Sequence, residues 1–187
     1  MIEVEIMAAH GWYPLRVATR RDPNEADLSS LEGRLGARLP EDYRRFVARF
    51  GQGALRHGCW FAIREPCPWG QWGLVDQFLG FSADSDGSLP AITFDLFADR
   101  IPAGMLPIAE DPGGNLVLLA VAASRPRGSV WFWDHEHRPR PNDEVRTSAM
   151  FGDSNRVDNL YEIAMSFASF LEEIGERDAH AGNIPPR

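Results

Sequence analysis

A short run of acids and histidines, Trp133-Asp134-His135-Glu136-His137, carries the residue types that bind metal ions. If this stretch is extended, His135 and His137 point to the same side, which is how an HxH pair binds zinc. A catalytic zinc site also needs a third ligand and an oriented second layer of hydrogen bonds. The other three histidines stand where no ligand spacing exists: His10, His57 and His180. The sequence therefore predicts no bound metal, and a metal-dependent enzyme using residues 134–137 is the remote alternative.

The candidate nucleophiles lack the partners that nucleophilic catalysis requires. Cys59 and His57 would share one face of an extended strand, but no third residue that would orient the histidine is identifiable. Ser166 and Ser169 are not part of a GxSxG motif. Cys59 and Cys67 form no CxxC motif, and a single cysteine pair in a chain without a signal peptide is expected to stay reduced. These patterns predict a protein without enzymatic activity and without a cofactor.

The turn-forming stretch Asp111-Pro112-Gly113-Gly114-Asn115 lies between two apolar runs. A phosphate-binding loop would need a lysine and a serine or threonine at the start of a helix, and neither is present. A calcium loop would need alternating oxygen ligands, and only Glu110, Asp111 and Asn115 are available. Glycine, proline, aspartate and asparagine are the residues that hairpin connections favour. The stretch therefore predicts a turn between two strands.

Residues 65–99 hold six acids and no arginine, together with six aromatic side chains. The aromatics and acids could form a surface for a basic protein partner. Alternatively the aromatics lie in the core and the acids face solvent, which is the commoner arrangement. The candidate partner-binding residues of this segment are Asp76, Asp84, Asp86, Asp95, Asp99, Trp69 and Trp72. The secondary candidates outside it are Asp111, Asp134 and Glu136.

Overall composition narrows the class of protein. The 187 residues carry a net charge of −8, which argues against nucleic acid as a direct partner because phosphate binding needs a basic face. The chain opens with acids at Glu3 and Glu5, where a signal peptide would carry positive charge. The longest apolar run, 116–123, is too short to cross a membrane. We expect a cytoplasmic protein without a membrane partner.

Helices and strands alternate along the chain in a pattern typical of an α+β domain. The apolar spacing predicts helices over 28–35, 41–50 and 160–174, and one helical turn at 94–98. Alternation at 2–6 indicates a possible edge strand. Further strands are expected at 60–63, 72–81, 105–109, 116–121 and 129–134. Successive strands with short turns pair antiparallel, so the helices should flank a twisted antiparallel sheet in a single domain.

The order of these elements, with their particular residues, resembles the SUKH superfamily, which includes the Smi/Knr-type regulators of yeast cell-wall synthesis and many bacterial proteins. The resemblance lies in five motifs across 28–174: "LPEDY" before a helix ending "RFGQG", "LPIAED", "GGN", "GSVWFWDHE" and "IAMSFASFLEEI". The sequence departs from the family at Gln52, where a glycine is usual, and in a longer surface excursion at 138–158.

The resemblance implies a binding module without catalytic residues. Many bacterial members are immunity proteins that neutralise a secreted toxin, often a nuclease, so a basic toxin domain is the implied partner. The alternative is a regulator or scaffold like the cell-wall branch. The resemblance places the domain at 28–175, after an N-terminal extension over 1–27. The final residues, 176–187, lack an apolar period and are predicted to form a disordered tail.

Overall fold

The computed structural model describes residues 2–15, 22–68, 70–82, 88–97, 100–122, 125–136 and 159–178. The helices are α1 (Ile2–Ala9), α2 (Glu25–Leu35), α3 (Glu41–Phe50), α4 (Leu89–Ala91) and α5 (Phe167–Asp178), and a π-helical turn follows α4 at Ile92–Leu96. The strands are β1 (Trp12–Pro14), β2 (Gly53–Ala62), β3 (Trp72–Phe78), β4 (Met105–Glu110), β5 (Leu116–Ala120), β6 (Val130–Trp133) and β7 (Leu160–Ala164). The predicted α+β class is confirmed.

The seven strands form one antiparallel sheet in which each strand pairs with the next along the chain. Strands β3 and β4 pair over a short length, with Gln77 opposite Glu110 and Phe78 opposite Ala109. The β2–β3 hairpin therefore extends beyond the end of β4. Just after β2, the Arg64 N–H donates to the Glu162 carbonyl of β7 at 3.0 Å. The hairpin thus curls the sheet towards its opposite edge.

The main core lies between the helices and one face of the sheet. Helix α5 packs against β2, β7, α1 and α3. The rings of Trp12, Phe46 and Phe78 meet at centroid distances of 5.0–6.2 Å, and Phe167 lies 5.0 Å from Phe46. A Cβ at Gly53 would lie 2.2 Å from the Trp12 ring, so β1 can pair with β2 here only across a glycine. The packing of Trp12 in this core therefore holds β1 against β2 at the edge of the sheet.

A second, smaller core covers the opposite face of the sheet over β4 to β7. Its buried members are Met105, Leu116, Leu118, Ala120, Trp131, Trp133 and Leu160, and Phe97 and Ile101 pack against them. The central strands are therefore apolar on both faces. That explains why β4, β5 and β6 read as nearly continuous apolar runs and not as alternating ones.

Local signals determine the ends of α2 and α3. Helix α3 spans its predicted range, and α2 begins at Glu25, before the predicted start at residue 28. Asn24 caps α2 by accepting from the Asp27 N–H at 3.0 Å, while the Asp27 carboxylate accepts from the Asn24 N–H. Gly36 ends α2 with φ of 66°. Gln52 carries no positive φ, because the positive-φ position falls on Gly51. The family departure at Gln52 therefore imposes no backbone strain.

The N-terminal strand predicted at 2–6 is wrong, since Ile2–Ala9 is helix α1. The edge strand within the extension is Trp12–Pro14 instead. Alternating apolar residues in so short a segment are compatible with either structure. Packing decides between them: α1 lies against α5, and Met7 is buried in the main core.

The predicted terminal helix over 160–174 is also corrected. Leu160–Ala164 is strand β7, paired with β6, and only Phe167–Asp178 is helical. The apolar residues of 160–164 are nearly continuous, so spacing alone cannot separate a strand from a helix. Pairing with β6 decides for the strand. Gly175 does not end the helix, which continues to Asp178, so the start of the predicted tail at 176 is wrong; residues 179–187 lie outside the described ranges.

The remaining boundaries differ by several residues. Strand β2 is longer than predicted and begins at Gly53, whereas β3 ends at Phe78 and not at residue 81. The helical turn predicted at 94–98 is a π-helical turn two residues earlier, with Ala98 outside the described residues. The excursion predicted at 138–158 also lies outside them. Within the described part of the chain, no helix is long and apolar enough to cross a bilayer.

Candidate functional site

The turn at 111–115 joins β4 to β5, as its composition predicts, and the Asp111 carboxylate organises it from within. Its Oδ1 accepts from the backbone N–H groups of Gly113 and Asn115, each at 2.8 Å. Its Oδ2 accepts from the Asn115 side-chain amide at 2.9 Å. Gly114 provides the positive φ of 85° that the turn requires. Asp111 therefore stabilises the turn, while its charge stays at the end of the sheet.

The end of β6 is attached to this turn through His135. Asn115 Oδ1 accepts from the His135 N–H at 3.2 Å and lies 3.0 Å from His135 Nδ1. Strand β6 ends at Trp133, so the extended geometry that an HxH zinc pair needs does not reach His135. His137 lies outside the described residues. Among those that are described, no three metal-ligating side chains are grouped.

Asp134 is fully buried and joins the end of β6 to the start of β7. Its N–H donates to the Asn159 carbonyl at 3.0 Å, and the Asn159 amide donates back to the Asp134 carbonyl at 2.9 Å. The Asp134 carboxylate accepts from the Glu136 N–H at 3.0 Å. Of the two acids in this stretch, only Glu136 is exposed to a partner. The burial of Asp134 could not be predicted from its residue type, because aspartate is usually exposed.

Three carboxylates, Asp76, Glu110 and Asp111, meet at the end of the sheet, and we call them the acidic cluster. The β3–β4 register places Gln77 opposite Glu110, so Asp76 comes close to the β4–β5 turn. Glu110 is half-buried, and burial raises its pKa, to which the neighbouring charges of Asp76 and Asp111 add. Its carboxylate accepts a short hydrogen bond from the Gln77 amide.

None of the arginines that the structure describes forms an ion pair with the acidic cluster. The ion pairs formed among described residues involve Arg44, Arg45 and Arg64, and none reaches the cluster. Like charges held together at the ends of neighbouring strands repel each other. The cluster therefore presents negative charge at this end of the sheet, and no ion pair among the described residues neutralises it.

The other sequence-predicted site residues are distributed differently. Trp72 is 37% exposed on β3, and Asp95 is exposed on the π-helical turn. Phe78 and Phe81 are buried, while Phe94 and Phe97 are half-buried against the core. The core interpretation is therefore right for these phenylalanines and wrong for Trp72. Four candidates lie outside the described residues: Trp69, Asp84, Asp86 and Asp99.

The candidate nucleophiles contribute to helix capping and to core packing. Ser166 and Ser169 cap helix α5 reciprocally: each hydroxyl accepts from the other residue's N–H at 3.1 Å. Cys59 is fully buried in the main core and is not joined to Cys67 by a disulfide. Glu110 is the site residue that sequence reasoning missed, because its closeness to Asp76 depends on strand register.

Fold and site together define an α+β protein with a consecutive antiparallel sheet, helices on one face and an exposed acidic end. Comparison with known sequences gives the family. The model of the SMI1 / KNR4 family (SUKH-1) matches residues 22–173, and the chain belongs to this family. It is also similar to the SPbeta prophage-derived uncharacterized protein YokK of Bacillus subtilis (strain 168), with 30% identity over 122 residues. That match covers 58% of this chain and 60% of the relative's length.

Proposed function

We propose that this protein is a non-enzymatic, cytoplasmic binding module that acts as an immunity protein and neutralises a bacterial toxin by direct binding. Family membership supports a role as an immunity or regulatory protein. The observation that favours immunity is the acidic cluster of Asp76, Glu110 and Asp111, which no described arginine compensates.

A basic toxin domain is the partner that this surface suits. Toxins that cleave nucleic acids bind phosphates through basic clefts, and an acidic protein that occludes such a cleft competes with the substrate. The net charge of −8 accelerates the encounter, and the local charges of the cluster set the orientation. A cationic side chain of the toxin would also relieve the repulsion around Glu110.

The direct test is protection. The product of the gene directly upstream of this one, as the candidate toxin, is expressed in cells with and without this chain. We expect survival only when this chain is present, and a stoichiometric complex with the catalytically inactivated toxin in vitro. If the chain neither protects the cells nor forms the complex, the immunity role is refuted.

A charge-removing variant tests whether the acidic cluster is involved. Asp76→Asn combined with Glu110→Gln should slow association several-fold and flatten its dependence on salt, because exposed charges act mainly on the association rate. Asp111 is left intact because it organises the turn. The matched control is Glu41→Gln combined with Glu172→Gln, which removes two exposed acids from α3 and α5. Equal effects of the two variants would show that the cluster has no specific role.

A further inference from the structure

The β2–β3 hairpin has two faces with different surroundings. Cys59, Phe61 and Val75 belong to the main core and define the inner face. Directly paired residues lie on the same face of a sheet, and neighbouring residues of a strand lie on opposite faces. The pairs Trp60–Leu74 and Ala62–Trp72 therefore lie on the outer face.

We call these four residues, Trp60, Ala62, Leu74 and Trp72, the tryptophan patch. Trp60, Ala62 and Leu74 are half-buried, and Trp72 is 37% exposed. None of the four is a member of either hydrophobic core of the described residues. Two tryptophans and a leucine that lie side by side and keep part of their surface exposed form a contiguous apolar surface, which commonly marks an interaction site.

The tryptophan patch continues into the acidic cluster. Trp72, Leu74 and Asp76 are exposed or half-buried in β3, and the residues between them, Gly73 and Val75, are buried, so the aspartate extends the same outer face. The alternation ends there, because Phe78 is buried in the main core as Val75 is. The charges of Asp76 and Asp111 both act on the Glu110 carboxyl, so the three acids lie near one another at the end of this strand pair. Apolar surface and negative charge thus meet at one place on the sheet.

We propose that the tryptophan patch and the acidic cluster form a single docking surface for a basic protein that presents an arginine or lysine beside an apolar side chain. The inference rests on the proposed function in taking a basic protein as the occupant. Charge complementarity selects it: the carboxylates attract a cation and repel acidic proteins and nucleic acids. Buried tryptophans are frequent energetic centres of interfaces, and an indole ring also attracts a cation.

A pair of peptides can probe this surface without a known partner. The full chain is titrated with acetyl-Arg-Leu-Arg-Leu-Arg-amide and with acetyl-Glu-Leu-Glu-Leu-Glu-amide, while the indole N–H signals are followed by NMR. The cationic peptide should shift the signals of Trp60 and Trp72 saturably, and less so at high salt. The signals of the core residues Trp12, Trp131 and Trp133 should stay in place. The acidic peptide should shift none of them.

Two matched variants test the location. Trp72→Ala with Asp76→Asn should weaken binding of the cationic peptide about tenfold or more, the loss expected when an anchor and its neighbouring charge are removed. Met165→Ala with Glu172→Gln removes an exposed apolar side chain and an exposed acid from another part of the protein and should change affinity less than about twofold. Equal weakening by both variants, or shifts confined to other indoles, would overturn the proposal.

The same variants separate this inference from the immunity role. If the inactivated toxin binds the Trp72→Ala/Asp76→Asn variant as tightly as the native chain, the docking surface is wrong and the immunity role stands. If the cationic peptide binds at the patch but the toxin forms no complex, the surface stands and the immunity role is wrong.

Discussion

Asp42, in the first turn of α3, caps α5 from a distance of 126 residues along the chain: its Oδ2 accepts from the Ala168 N–H at 3.0 Å. Its Oδ1 accepts from the N–H of its own neighbour Tyr43 at 2.9 Å. One carboxylate therefore serves the N-termini of two helices, where unpaired N–H groups and the helix dipole favour negative charge. This contact joins the first turn of α3 to the first turn of α5.

We expect Asp42→Ala to lower the free energy of unfolding by about 1–2 kcal/mol, the usual cost of losing a helix cap. Chemical denaturation measures it. Asp42→Asn keeps a hydrogen-bond acceptor but loses the charge, so its free energy of unfolding should lie between those of the native chain and of Asp42→Ala. Glu41→Ala, which removes the neighbouring exposed acid, is the control, and a loss as large as that of Asp42→Ala would contradict the capping role.

Phe167 is fully buried between Tyr43 and Phe46, with ring centroids 5.1 and 5.0 Å away. Phe167→Ala should cost roughly 3–5 kcal/mol because it leaves a cavity at the centre of the main core. Leu96→Ala, at a side chain that is 64% exposed, should cost less than about 0.5 kcal/mol. Should Phe167→Ala fail to fold, Phe167→Leu measures the same site at a smaller cost. A loss below about 1 kcal/mol for Phe167→Ala would contradict its place in the core.

The Tyr43 hydroxyl is buried and has no hydrogen-bond partner among the described residues, and burial raises its pKa. Tyr43→Phe should therefore stabilise the protein by about 1 kcal/mol, since an unsatisfied buried hydroxyl is costly. The native chain should also lose stability above about pH 10, where the tyrosine ionises only after unfolding. Tyr43→Phe should remove that part of the alkaline loss.

The exposed Tyr13 provides the control for this experiment. Tyr13→Phe should leave the stability at neutral pH nearly unchanged. Destabilisation by Tyr43→Phe at neutral pH would show that the hydroxyl has a partner in solution.

The sequence predicts correctly those elements whose signals are local. Helix α2 has its capping residues within four positions, and β4 to β6 are joined by short turns of glycine and proline. It fails at 2–6 and 160–164, where the apolar pattern fits a strand and a helix equally well. Contacts with α5 decide the first case and pairing with β6 decides the second. Both contacts are distant in sequence.

In the candidate site, too, residue types can be predicted from the sequence, whereas the contacts between distant residues cannot. Asp76 and Asp111 are recognisable as surface acids, but their closeness to each other and to Glu110 follows from the register between β3 and β4. The two tryptophans of the patch share a face because of the β2–β3 register, which contains an irregularity between Ala54 and Cys59. Neither register can be derived from residue types alone.

The purified protein should contain no stoichiometric zinc, as the sequence predicts. His135 Nδ1 lies 3.0 Å from an amide oxygen, and β6 ends before the two histidines. Elemental analysis of protein purified without chelators measures the metal content. One equivalent of zinc that disappears in the His135→Ala/His137→Ala variant would contradict this prediction.

Glu110 should weaken the fold at neutral pH, because the folded state raises its pKa through burial and the nearby charges of Asp76 and Asp111. A raised folded-state pKa means that its contribution to stability is complete below the ordinary glutamate pKa and is lost as pH rises through the raised value. Glu110→Gln stays neutral and retains an oxygen that can accept from the Gln77 amide. The free energy of unfolding of Glu110→Gln should therefore equal that of the native chain at acidic pH and be higher at pH 7. The difference should be less than about 1 kcal/mol, because the group is half exposed to screening solvent.

Thermal unfolding from pH 3 to 8 measures this difference, and Asp76→Asn should reduce it by removing one of the repelling charges. Stability differences that do not vary with pH would show that ionisation of Glu110 costs the fold nothing. The proposed function adds a second expectation: Glu110→Gln should bind a basic partner more weakly although it folds more stably. A binding surface that lowers the stability of its own fold behaves in this way.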